Sequence, residues 1–255
     1  MKWLKADMVK YLQIGGILLV FLISIGFSSN RQDARKSVGV EVLIDNTYEN
    51  YFVESSEVTE LMNGDVRDYV TGSFITDLDL RQLETNIENH PYVQDAQVYR
   101  DLRGIVRVEV EQKRPIARVF KRTGQDYYIS EKGEILNESE KYTARVPLIE
   151  MEDGSLIGNK YMSETEYGQQ LFELLTRFHQ DEFWSAQVAG LQIDKTGDII
   201  IQPQVTKQII EFGQPEEIDQ KLTKLGIFYK EILPAKGWNT YARVNVKYEN
   251  QIICE

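Results

Sequence analysis

The chain has 255 residues, room for one or two cored domains, and its apolar and charged shares (42% and 27%) are those of a globular protein, which excludes general disorder. Its formal charge of −11 is uneven: Met1–Lys36 holds six Lys/Arg against two Asp/Glu, leaving 23 bases and 38 acids beyond. A body that acidic has no broad basic face for phosphates, which excludes nucleic acid as a partner.

Leu12 to Phe27 (LQIGGILLVFLISIGF) is uncharged and follows a tail bearing Lys2, Lys5 and Lys10. As a helix it spans roughly 24 Å, a little under the ~30 Å hydrocarbon core, and Lys10, Trp3 and Tyr11 at the headgroups make up the difference. The expectation is a cytoplasmic tail over 1–11 and a transmembrane helix over 12–28. The run exceeds the ~7 to 15 apolar residues of a signal peptide, which favours an uncleaved anchor. Cleavage stays open as the alternative, because Ser24, Gly26 and Ser28 are small enough for a signal peptidase. Arg31, Arg35 and Lys36 balance the three lysines, so charge counting gives no orientation, and a short tail before a large body fits the N-terminus inside. Gly15 and Gly16 suit close helix packing in lipid and open no dinucleotide loop.

From Val38 the apolar period becomes two, with Val38, Val40, Val42 and Ile44 on one face of a strand. Glu54–Met62 predicts a helix with Ser55 as N-cap and Asn63-Gly64 as its stop. Leu78–Asn89 predicts a second, lined by Leu80, Leu83 and Ile87 and ended by His90-Pro91. Two strands follow, Asp95–Asp101 and Ile105–Glu111, joined through Leu102-Arg103-Gly104. This order of strand, helix, helix, strand, strand, with the run NHPYVQDAQVYRDLRGIVRVEVEQKRPIARV from Asn89 to Val119, resembles a POTRA domain of the FtsQ/DivIB family, here over 37–113.

Ile116–Phe120 predicts a strand leading to Tyr127-Tyr128-Ile129-Ser130, a turn at Glu131-Lys132-Gly133, and Glu134-Ile135-Leu136. This is similar to the family's hairpin of a bulky strand followed by "D..G", with Ser130 in place of the acid. Val146–Ile149 resembles the family's "lP.l" strand, and Tyr161–Phe183 predicts an amphipathic helix with Leu171, Leu174, Leu175 and Phe178 inward. Leu191–Asp194 and Ile199–Gln202 form a hairpin, Gln208–Phe212 another strand, and Glu216–Leu233 a helix with Ile218, Leu222, Leu225, Phe228 and Tyr229 buried. A last strand pattern runs from Tyr241 to Tyr248 and on to Ile253. The fold class expected is therefore α+β: a transmembrane helix, the POTRA domain, and over 114–255 a mixed β-sheet domain with flanking helices. Cys254 is the single cysteine, so no disulfide forms within the chain and no Cys/His zinc cluster exists.

Catalysis needs a nucleophile with a base, a metal cluster or a phosphate cradle, and the sequence offers none of these convincingly. His90 before a proline reads as a capping or surface residue. His179, near Asp181 and Glu182, reads as part of a solvated helix face. The acidic stretch Glu131–Glu140 lacks the alternating ligands of a calcium loop.

The resemblance implies a non-enzymatic, single-pass scaffold of the cell inner membrane, its bulk periplasmic, at the division septum. The aromatic-rich, acidic composition suggests neither a cofactor nor a metal, and no small-molecule substrate is expected. In the family the last strands form an edge to which an FtsB/FtsL-type partner adds a strand. The family's "DLRY..G" segment matches Asn245–Asn250, so the partner-binding residues expected are Val246, Lys247, Tyr248, Glu249, Asn250, Gln251 and Ile252. Asn245 stands for Asp and Lys247 for Arg, which loses the planar fork suited to carboxylates. The alternative at this edge is that Val244, Val246 and Ile252 only close the sheet. The alternative for the whole chain is a POTRA-containing factor for outer-membrane protein assembly or secretion, although the alternating strands of a membrane barrel are missing. A tethered enzyme using His179 is the third class.

Overall fold

The computed structural model describes residues 36–64, 69–74, 77–121 and 125–255, with Gly16, Ile17 and Leu19 as isolated positions. The expected anchor Leu12–Phe27 lies otherwise outside the described residues, among which no helix is long and apolar enough to cross a membrane. The chain divides into two compact units, one from the residues up to Asp45 with Val53–Gln112, the other from Asn46–Phe52 with Lys113–Glu255.

The first unit contains β1 (Gly39–Asp45), α1 (Ser55–Asn63), α2 (Leu80–Glu88), β2 (Val93–Arg100) and β3 (Ile105–Gln112). The sheet order is β1-β3-β2, with β1 parallel and β2 antiparallel to β3. Alternation in β3 buries Val106, Val108 and Val110 together with Val58, Met62, Leu83 and Ile87 of the helices. The cap of α1 differs from expectation. Glu54 and Glu57 form a capping box, Glu57 accepting from the Glu54 N–H at 3.1 Å, so Ser55 is already helical. Gln112, 7% exposed, accepts from the Val53 N–H at 3.0 Å and donates to the Asp45 carbonyl at 3.3 Å. One buried amide therefore closes the base of the excursion Asn46–Phe52.

The second unit is a nine-stranded mixed sheet. Its strands are β4 (Pro115–Lys121), β5 (Tyr127–Ser130), β6 (Ile135–Asn137), β7 (Leu148–Met151), β8 (Val188–Ile193), β9 (Ile199–Pro203), β10 (Ile209–Gly213), β11 (Arg243–Asn245) and β12 (Ile253–Cys254). Their order is β12-β11-β10-β9-β8-β7-β4-β5-β6. Pairs β4/β7, β7/β8 and β10/β11 are parallel, and intervening helices supply the crossovers for the last two. β5 is buried on both faces: Tyr127 and Ile129 join the main core, while Tyr128 meets Phe52 edge-on at 5.8 Å. Ser130 does the work of an acid in the following turn, its Oγ accepting from the N–H of Glu134 at 3.0 Å and of Lys132 at 3.3 Å.

The expected helix Tyr161–Phe183 is broken. A 3₁₀ turn at Met162–Glu164 precedes α3 (Glu166–Gln180), which Thr165 caps through the Gly168 N–H at 3.0 Å. Asp181 leaves helical geometry and its carboxylate accepts from Phe183 and Trp184 at 2.9 and 3.1 Å, starting α4 (Glu182–Gln187). The expected helix Glu216–Leu233 is α5 (Ile218–Ile227), a π turn at Phe228–Ile232, and α6 (Leu233–Lys236). Pro234 explains the π turn, since its ring displaces the carbonyl four residues back and the Leu233 N–H reaches Phe228 instead. Leu171, Leu174 and Phe178 of α3, with Leu225 and Phe228, pack in one core with Ile149, Leu191, Ile201, Phe212 and Val244 of the sheet.

Candidate partner-binding edge

The sheet ends at β12, whose one described strand partner is β11. The expected single strand from Tyr241 to Ile253 is instead two short strands about a turn. β11 lies parallel to β10, with Ile209 opposite Arg243 and Glu211 opposite Asn245. The Val246 N–H still donates to the Glu211 carbonyl at 3.0 Å. The chain then reverses through Asn250, whose φ of 55° is left-handed, a conformation asparagine tolerates better than most residues. β12 returns antiparallel to β11, and the Glu255 N–H donates to the Arg243 carbonyl at 3.0 Å. Alternation in an antiparallel ladder then turns the N–H and C=O of Cys254 to the outer side.

Of the seven expected partner-binding residues, the structure places six in the turn or on its flanks and one in the core. Val246 is fully buried and closes the sheet. Lys247 is turned along the sheet: its ammonium is 3.4 Å from Asp198 and 4.0 Å from Glu211, at the mouth of an acidic cleft of about 350 Å³. Its stem lies over Gly213, where an added Cβ would sit 2.7 Å from the Lys247 Cγ and Cδ. Tyr248 is 52% exposed, Glu249, Asn250 and Gln251 are exposed, and Ile252 packs partly against the core. The turn is held from outside the strands. Lys224 of α5 donates to the carbonyls of Val246 and Tyr248, each at 2.6 Å.

Glu211 organises the neighbouring charge, meeting Arg243 at 3.2 Å and accepting from Asn245, whose Oδ1 in turn takes the Lys247 N–H at 2.9 Å. Asn245 is thus a structural bridge, and an acid there would face Glu211 across β10 and β11. Sequence reasoning missed Ile253, an exposed apolar side chain on the edge strand, and Ile209, exposed on β10. The signal for Ile253 lay in the turn itself, since Glu249-Asn250 interrupts the apolar pattern and ends three residues before it.

Neither histidine is part of this edge. His90 accepts from the Tyr92 N–H at 3.2 Å and its other nitrogen is 3.9 Å from Glu57, at the end of α2. His179 does not gather Asp181, which is committed to capping α4. Burial first, and then Arg114, hold its imidazole below the ordinary histidine value, with Glu131 opposing. Among the described residues no group of three or more His, Cys, Asp or Glu is placed to hold a metal ion.

Comparison with known families agrees with this architecture. A family model described as FtsQ/DivIB, C-terminal related, matches residues 114–255, more than half of the chain. A second, described as POTRA-like domain, matches residues 35–111. No curated protein matches the chain.

Proposed function

Because the chain belongs to the FtsQ/DivIB family, a family of non-enzymatic cell-division proteins, we propose that it is a membrane-anchored scaffold of the division machinery that holds an FtsB/FtsL-type pair at the septum. In this reading Leu12–Phe27 crosses the inner membrane once, residues 1–11 are cytoplasmic, and both folded units lie in the periplasm. The partner adds a strand to β12, taking the outward N–H and C=O of Cys254, with Tyr248, Ile252 and Ile253 contacting its side chains.

The observation that supports this reading most is the pairing of an outermost strand with a turn fixed by Lys224, beside exposed Tyr248 and Ile253. Pre-fixing a docking edge lowers the ordering entropy that association must overcome.

The test uses the full chain as the sole copy in cells. Cys254→Pro removes the outward donor, and Tyr248→Ala with Ile253→Asp removes the side-chain contacts. Filamentous cells with normal protein levels, and no FtsB/FtsL-like pair in co-purification, are expected. Normal septa with the pair still bound would refute the strand-addition reading.

A further inference from the structure

The second unit contains a cleft of about 570 Å³ far from the chemistry of β12 in sequence, lined by three stretches of consecutive residues: Tyr48–Tyr51, Arg114–Ile116 and Tyr142–Pro147. In an extended chain successive side chains point to opposite sides, so a run of six lining residues means that the main chain itself faces the cavity. Tyr142–Pro147 has no helical or strand assignment, and among the described residues the amides of Thr143, Arg145 and Val146 donate to no protein acceptor. The segment is nevertheless fixed at both ends. The Tyr142 hydroxyl donates to the Glu49 carbonyl at 2.7 Å and its ring meets Phe52 edge-on at 4.9 Å. The Ala144 N–H donates to the Tyr128 hydroxyl at 3.3 Å, and the Pro147 carbonyl accepts from Arg118 at 3.0 Å.

The walls are apolar, from Ile116, Leu175, Phe178 and Val188, and the charged lining side chains are two guanidinium groups and one carboxylate. Arg114 and Arg145 face the cleft with Glu49 as the lining carboxylate, and Glu131 stands 3.9 Å from Arg114. Arg114 stacks on the Tyr48 ring at 3.7 Å, which fixes the plane of its guanidinium at the cleft.

We propose that this cleft is a second docking site, distinct from the β12 edge, that takes an extended acidic peptide segment of another protein. Its main chain bonds to Thr143 and Arg145, its carboxylates meet Arg114 and Arg145, and its apolar side chains enter against Leu175 and Phe178. Main-chain pairing supplies affinity, and the guanidinium pair selects for negative charge.

The experiment uses the full chain in detergent and three labelled peptides: one alternating glutamate with valine, the same with alternate amides methylated, and one alternating lysine with valine. Anisotropy is expected to show saturable binding of the first, weaker by about tenfold or more for the other two. Hydrogen exchange should show new protection at Thr143 and Arg145, whose amides fall on one side of the extended run. Arg145→Glu, at an exposed side chain, should weaken binding by about tenfold with an unchanged melting temperature, whereas Ile253→Asp should bind as the parent does. No saturable binding, equal binding of the methylated peptide, full displacement by free glutamate, or protection at Cys254 instead would each overturn the proposal.

Discussion

Lys224 donates to the Tyr248 carbonyl at 2.6 Å, across 24 positions of sequence. The same ammonium reaches the Val246 carbonyl at 2.6 Å, so one side chain of α5 sets the geometry of the turn before β12. Lys224→Met keeps the stem and removes both bonds. Loss of about 1 kcal/mol of stability is expected, with faster hydrogen exchange confined to 246–254 and reduced recovery of the partner pair. Unchanged exchange there would mean that the strands alone hold the turn.

Ser130 is 1% exposed and its hydroxyl accepts from two backbone amides. Ser130→Ala strands those donors in a partly buried turn, so urea unfolding should show a loss of about 1 kcal/mol with an unchanged slope. Recovery by Ser130→Thr, which keeps the acceptor, would separate the hydrogen bonds from packing.

His179 binds its proton less readily folded than unfolded, because it is partly buried beside Arg114. The unfolded chain therefore carries more protons at this site as pH falls below the ordinary histidine value, and stability rises with pH through that window. Cooling of the melting temperature between about pH 7.5 and pH 5.5 is expected to be smaller in His179→Gln than in the parent. An equal drop in both would assign the effect elsewhere.

Two glycines should respond with opposite signs. A Cβ at Gly190 of β8 would sit 2.5 Å from the Leu148 carbonyl oxygen, a backbone atom of the adjacent strand, so Gly190→Ala should destabilise by about 1 to 3 kcal/mol or more. At Gly226 of α5 nothing lies within 4 Å, and Gly226→Ala should stabilise by up to about 1 kcal/mol through helix propensity. Thermal unfolding of the pair checks both.

The mixed α+β character, the first unit's order of elements and most of the helical faces were legible from periodicity. Val106, Val108 and Val110 declare a half-buried strand whatever they pack against, and His90-Pro91 ends a helix by local sterics. Where local chemistry competes with periodicity the reading failed. Asp181 offers its carboxylate to two amides and breaks an apolar pattern that runs straight through it. Pro234 shifts a hydrogen-bond ladder that the pattern of apolar residues leaves unmarked.

Periodicity is a property of neighbouring residues, so by itself the sequence determined which segments are strands and helices and which family the chain resembles. The tertiary structure decided what no local pattern carries: that β10 and β11 run parallel, that Asn46–Phe52 belongs to the second unit, and that Val246 is core while the main-chain N–H and C=O of Cys254 face away from β11. Each of these depends on atoms dozens of positions apart. Lys224 fixes the turn, Gln112 closes the excursion and Glu211 gathers Arg243, Asn245 and Lys247, and partners so distant along the chain meet only once the sheet has formed.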